Sequence, residues 1–284
     1  MSSPPRSALD VIIIGDSIAL RAFPPHIIDI DYLSFANFMA SPTEYYYKMK
    51  RYLKVAPPPK CIYLITSYNS EHKKNDGLWD FYVANNFYSF NDLIQIKKEL
   101  HRSLSLPKKT LLFFKYWAYR TRLTSFNPIK EFQALFKNNN EKHEIFLKKL
   151  RKNNGLVSMP INTRTQPEKL YVKKLHSYLN NKFTPSQEYD HYLNLFFTKL
   201  KKHKIKVFFI QHPFSETFWE ETQAREFYRE YHPHMQGLVA QYPNVVFREQ
   251  LLTLPDFFFY NGNHLNKAGS EKFYQKISEE IECK

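Results

Sequence analysis

Val11-Ile12-Ile13-Ile14-Gly15-Asp16-Ser17 is four β-branched residues in a row, then a glycine, then two small polar residues. Four apolar residues without alternation predict a strand buried on both faces, as in a parallel sheet covered by helices on each side. Gly15 permits the tight turn that follows, and Asp16 and Ser17 then lie at the strand's carboxyl end. In an open α/β sheet that end faces the crevice where ligands bind. Ser17 is therefore a candidate nucleophile if a base reaches it, since a serine hydroxyl is weak until its proton is taken.

Outward from this strand the pattern repeats. Tyr32–Ala36 predicts a second, weaker strand. Ser41-Pro42-Thr43-Glu44 is a capping box with proline at the first helical position, and it opens a helix with Tyr45, Met49, Tyr52 and Leu53 on one face. Pro57-Pro58-Pro59 ends it. Cys61–Ile65, Val207–Ile210 and Val245–Phe247 predict three more strands, with helices at about 186–203, 217–241 and 267–282. Strands alternating with helices predict an α/β fold, a three-layer α/β/α sandwich around a mostly parallel five-stranded sheet.

About 140 residues separate the third and fourth strands, where a crossover needs only a dozen or so. The expected organisation is therefore a core from 1–72 and 205–284 with a mainly helical insertion over 73–204. Such an insertion could be a lid or substrate platform, or plain scaffolding. Its charge is concentrated: from Lys97 to Lys152 there are 15 Lys/Arg against 4 Asp/Glu, within a chain of net charge +14. Either this is a solvated helical surface, or it attracts an anionic partner such as an acidic glycan, coenzyme A phosphates, lipid headgroups or nucleic acid.

Composition narrows the class further. A hydrophobic content of 43% over 284 residues supports a sizeable core. Two cysteines, Cys61 and Cys283, make no disulfide framework and fit a reducing compartment. The N-terminus Met1-Ser2-Ser3-Pro4-Pro5-Arg6 has no secretory pattern, and runs such as Leu111–Tyr119, interrupted by Lys115, are too short for a bilayer. The expectation is a cytoplasmic protein, with peripheral contact at the inner membrane face as the variant. There is no phosphate loop, no paired Cys–His zinc spacing and no G-x-S-x-G elbow, so no metal site is expected.

Two downstream stretches match the serine. Thr66-Ser67-Tyr68-Asn69 follows the third strand, where an asparagine amide can donate into the same crevice. Asn261-Gly262-Asn263-His264-Leu265-Asn266 places a histidine, the base suited to neutral pH, just before the last helix. His212, after the fourth strand, falls at the same carboxyl edge.

With serine after the first strand, asparagine after the third and histidine before the last helix, the chain resembles the SGNH (GDSL-type) hydrolase superfamily over residues 10–70 and 205–282. The family includes esterases, lipases, carbohydrate deacetylases and polysaccharide O-acyltransferases. The resemblance implies a flavodoxin-like sandwich, Ser17 as nucleophile, Asn69 as side-chain oxyanion donor and His264 as base in an Asp-x-x-His-Leu-Asn block. Asn37-Phe38-Met39-Ala40-Ser41-Pro42-Thr43-Glu44-Tyr45-Tyr46 is similar to the second block of bacterial members linked to cell-surface polysaccharides. It implies that the backbone N–H of Ala40 or Ser41 enters the oxyanion hole with that of Ser17.

The chain departs from the family at three places. The second-block glycine is absent, Ser67 stands where a glycine precedes the asparagine, and Asn261 stands where an acid should precede the histidine. An amide can orient an imidazole but gives little stabilisation to imidazolium; the same exchange in a serine protease costs about 10⁴ in turnover. Asp256 is the nearest other acid, and helix or turn capping is its alternative role. The resemblance thus implies acyl transfer to, or removal from, a carbohydrate or polysaccharide. No cofactor is bound, and acetyl-CoA is an allowed acyl donor. The alternative is a catalytically weakened glycan- or anionic-surface-binding protein. Specific nucleic-acid binding has charge behind it but no recognised module.

Overall fold

The computed structural model describes residues 7–37, 40–66, 87–100, 148–149, 151–156, 183–261 and 264–283. The chain divides into two compact units, Met1–Lys73 with Lys149–Lys284, and Lys74–Lys148. In the second unit α3 runs over Phe90–Leu100, opened by Ser89, whose hydroxyl accepts from the Asp92 backbone N–H at 3.1 Å.

The first unit is built on five strands: β1 (Val11–Gly15), β2 (Tyr32–Ser34), β3 (Cys61–Thr66), β4 (Lys206–Gln211) and β6 (Val245–Phe247). Their order is β2-β1-β3-β4-β6 and every pairing is parallel. The β-branched run is the reason β1 lies inside: each of its five residues is buried, and Gly15 pairs with Ile65 of β3. Alternate residues feed two cores. Val11, Ile13, Tyr63, Ile65, Phe208 and Ile210 pack with α1 (Ala19–Ala22) and α7 (Lys267–Ile277). On the opposite face the Phe209 ring packs at a tilt against Phe197 of α4 (Gln187–Lys202) and against Phe247. Helix α4 packs in turn on α2 (Pro42–Val55). This is the three-layer sandwich expected from the strand–helix alternation.

Helix α2 starts as the sequence dictates. Ser41 and Glu44 close the capping box, Pro42 occupies the first turn, and the helix stops at Val55 ahead of the prolines. The helix expected at 217–241 is instead two. Ser215 caps α5 (Glu216–Glu220), extended backbone at Glu221 interrupts, and α6 (Thr222–Val239) follows. Two small ladders were not foreseen: β5 (Phe214–Ser215) with β7 (Thr253–Leu254), and β8 (Phe259–Asn261) with β9 (His264–Leu265). Strands of two or three residues are too short to leave a periodic signature.

The expectation of two unpaired cysteines is corrected. Cys61 at the start of β3 and Cys283 beyond α7 form a disulfide with Cα atoms 5.8 Å apart, across a separation of 222 residues. The tail returns to β3 because the Tyr63 hydroxyl donates to the Ile281 carbonyl at 2.6 Å and Ile281 is buried. A pairing over such a separation is a tertiary outcome that cysteine counting does not reveal. Among the described residues, no helix is long and apolar enough to cross a membrane.

Candidate active site

Gly15 is required where β1 ends. A Cβ there would lie 1.9 Å from the Ile65 carbonyl oxygen and 2.4 Å from the Ala19 Cβ, at a φ of +155°. Only the missing side chain lets β3 and α1 approach together. Asp16, 6% exposed, folds the next turn: its Oδ1 accepts from the Ile18 N–H at 2.8 Å and its carbonyl from the Leu20 N–H at 3.2 Å. Asp16 thus shapes the turn, and Ser17, half-buried, stands on it.

His264 is brought to Ser17 by the β8–β9 hairpin and the start of α7. Asn266 caps that helix, its Oδ1 accepting from the Gly269 N–H at 2.9 Å while its Nδ2 donates to the Phe257 carbonyl at 2.7 Å. A Cβ on Gly269 would sit 2.0 Å from the Phe258 carbonyl oxygen, so the helix touches the turn just ahead of the hairpin through backbone. Leu265 is buried beside them. Within the His-Leu-Asn triplet, Leu265 is the buried anchor and Asn266 the helix cap that fix where His264 sits. The result is an Oγ–Nε2 distance of 3.0 Å between Ser17 and His264, 247 residues apart in the chain. That is proton-transfer distance.

The electrostatics of the pair are unusual. Burial, and then the Arg21 guanidinium, hold the His264 pKa down to about 3. Arg21 lies one helical turn beyond Ser17; this i, i+4 spacing was the available sequence signal, and it was missed. The ring is consequently neutral and able to accept a proton, while its imidazolium form is disfavoured. His212 shares this condition: burial first, then His264, lower its pKa to about 3.

Both histidines make folding sensitive to acid. Each binds a proton more readily unfolded, near pH 6.5, than folded, near pH 3. Their contribution is complete above pH 6.5 and is lost as pH falls towards 3. Urea midpoints at pH 7.0, 5.5 and 4.5 should fall steadily; a midpoint unchanged from 7.0 to 4.5 would contradict this account.

The second block divides its two candidates. The Ser41 N–H donates to Glu44 Oε2 at 2.7 Å, so the capping box occupies it. The Ala40 N–H makes a longer contact, 3.4 Å to the Asn37 carbonyl. Lys48 braces this segment by donating to the Phe35 carbonyl at 2.7 Å, and burial lowers its pKa to about 8. Asn69 lies outside the described residues, as does the side chain of Asn261. The Asn261 backbone is described: it pairs with His264 across the hairpin.

Asp256 has structural work. Its Oδ1 accepts from the Thr217 N–H at 3.1 Å and its Oδ2 from the Thr217 hydroxyl, tying the short 3₁₀ turn Asp256–Phe258 to the start of α5. His212 is 4% exposed and sits between the rings of Phe259 and Phe273. Among the described residues no cluster of three or more His, Cys, Asp or Glu could hold a metal ion.

Comparison with known proteins adds little to this geometry. No family model and no curated protein matches the chain. Among solved structures it is similar to a Streptococcus pneumonia protein provisionally described as a platelet activating factor, at 9% identity and a TM-score of 0.45 over 97% of this chain and 85% of that one. So distant a likeness carries no argument about chemistry, which rests on the residues above.

Proposed function

We propose that this chain is a serine-dependent acyl-ester enzyme of the SGNH type, acting in O-acyl transfer to, or removal from, a carbohydrate. The observation that carries the reading is the 3.0 Å contact between Ser17 Oγ and His264 Nε2 at the carboxyl edge of an all-parallel sheet. Ser17 Oγ attacks the ester or thioester carbonyl carbon as its proton passes to Nε2. The backbone N–H groups of Ser17 and Ala40, with the Asn69 amide, hold the oxyanion. The imidazolium then protonates the departing alkoxide or thiolate. Water or a sugar hydroxyl next gives its proton to Nε2, attacks the acyl-serine and releases Ser17.

The second-block resemblance and an aromatic content of 17% favour a carbohydrate acceptor, since aromatic faces stack on sugar rings. The basic 97–152 segment suits an anionic glycan, the phosphates of coenzyme A or an anionic membrane surface. Acetyl-CoA is a consistent donor. A second reading, a glycan- or anionic-surface-binding protein with weakened catalysis, draws on Asn261 in the acid position and on Arg21 opposing the imidazolium.

Release of p-nitrophenolate from p-nitrophenyl acetate separates the two. The reading expects turnover that falls to background in Ser17→Ala. Equal release by wild type and Ser17→Ala would remove catalysis from this site. Acetyl-CoA consumption with and without polysaccharide then distinguishes transfer from hydrolysis.

A further inference from the structure

Two helices on one face of the sheet end together at its amino edge. Helix α2 stops at Val55, just ahead of β3, and α4 stops at Lys202, just ahead of β4. The two helices pack on each other, with Tyr45 against Phe196. Cys61 and Lys206, the first residues of those strands, stand opposite each other in the ladder. The ends of α2 and α4 therefore share one surface, at the opposite edge of the sheet from Ser17 and His264.

That surface is densely cationic. Lys54, Lys201, Lys202, Lys204 and Lys206 are exposed, and Lys206 lies over the Phe208 ring at 4.5 Å. Among the described residues none of the five has an acid within ion-pair distance. Asp10 and Asp31, acids of the same edge, precede β1 and β2, and Lys60 engages Asp10 at 2.6 Å. Cations in a last helical turn favour the helix by themselves, which accounts for Lys54, Lys201 and Lys202. Lys204 and Lys206 lie past the helix, and Lys204 is held at a φ of +56°. Its N–H donates to the Lys201 carbonyl at 3.0 Å and the Ile205 N–H to the Leu200 carbonyl at 3.0 Å, a helix ending that favours glycine at this place. A lysine there carries a conformational cost that glycine would spare.

An apolar side chain stands among these ammonium groups. Val55, the last residue of α2, is 67% exposed, and Pro58 beyond it is exposed as well. We propose that this amino edge, Lys54 and Val55 with Lys201, Lys202, Lys204 and Lys206, docks on an anionic lipid surface. There the valine enters the boundary of the acyl chains while the ammonium groups meet headgroup phosphates and carboxylates. The phosphates of a nucleic acid hold fixed positions and favour the bidentate fork of arginine, whereas the five exposed cations are all lysine, point charges suited to a diffuse anionic sheet. The surface is separate from the basic 97–152 segment and independent of the chemistry at Ser17. Docking this way turns the carboxyl edge, with Ser17 and His264, towards the aqueous side.

Cosedimentation of the full chain with phosphatidylcholine vesicles containing about a third phosphatidylserine tests this. Wild type should bind these vesicles and not pure phosphatidylcholine, and added salt should weaken the binding. Lys201→Gln, Lys202→Gln and Lys204→Gln together should lower the affinity about a hundredfold, at about fivefold per charge. Lys204→Gly separates docking from folding: it should raise Tm by relaxing the left-handed backbone, yet lower vesicle affinity about fivefold. With Cys61 and Cys283 paired, a polarity-sensitive fluorophore on Val55→Cys reports from that position alone, and its emission should shift to the blue on the anionic vesicles. Wild type that ignores anionic vesicles would overturn the proposal, as would a fluorophore that stays in water while the chain is bound. A triple variant that binds like wild type would place the contact elsewhere, the 97–152 segment included, and overturn it too. So would duplex DNA or heparin bound in place of vesicles and lost in the same triple variant, which would make the edge a polyanion site of another kind.

Discussion

His264→Ala should reduce kcat/KM for p-nitrophenyl acetate by about 10³-fold or more while leaving the fold intact. The imidazole is the described group at 3.0 Å from the Ser17 hydroxyl. Without it no other base among the described residues is recorded at hydrogen-bond distance from the hydroxyl, which would then behave as an ordinary alcohol. The ring also carries a cost in this position, since burial and Arg21 both disfavour its charged form. The alanine chain should therefore be more stable than wild type between pH 4 and 6 even as its activity disappears. Opposite signs for activity and acid stability identify a functional side chain; a drop in both would mark His264 as a structural residue. The comparison needs ester hydrolysis at pH 7 and urea unfolding at pH 5 on the same two proteins.

Gly15→Ala should be the most disruptive single-atom addition near the site, at about 3 kcal/mol of folding stability. The added methyl would meet the Ile65 carbonyl oxygen at 1.9 Å, and that oxygen belongs to β3 backbone paired with β1. A flexible side chain could turn aside, but a carbonyl held in a central ladder moves only with its strand. The Ala19 Cβ at 2.4 Å blocks retreat towards α1. Relief requires parting β1 from β3 or tilting α1, and both carry Ser17 away from His264. Lower Tm and lost ester turnover should appear together. An alanine variant with wild-type Tm would show that the turn relaxes at little cost. By contrast, Gly237 has no atom within 4 Å of a Cβ, so Gly237→Ala serves as the matched control within α6.

Much of the architecture was legible because the residues that determine it act locally or through unbroken patterns. Four β-branched residues specify a strand covered on both faces, and Ser41 with Glu44 specifies a helix start whatever lies around it. Val245–Phe247 emerged at the expected bounds. The meeting of Ser17 and His264 was legible for a different reason: in a parallel sheet, carboxyl ends share an edge, so residues after strands are candidates to converge.

What escaped the sequence depends on tertiary approach. The Cys61–Cys283 pair follows from the tail docking on Tyr63, and two-residue ladders exist only because their partners are held nearby. The capping role weighed for Asp256 is the one the structure shows, with both its oxygens accepting from Thr217. The Ser41 N–H bond to Glu44, by contrast, was already contained in the capping-box reading of Ser41-Pro42-Thr43-Glu44. Arg21 was overlooked because a short helix offers few residues from which to read a face.

The central claim is that Ser17 is an activated nucleophile, and covalent capture tests it most directly. A fluorophosphonate should form one adduct on the folded protein, located by mass spectrometry at Ser17, and the adduct should be absent from the urea-unfolded chain and strongly reduced in His264→Ala. A folded protein that takes up no phosphonate, or takes it up at another side chain with Ser17 unmodified, would contradict the account.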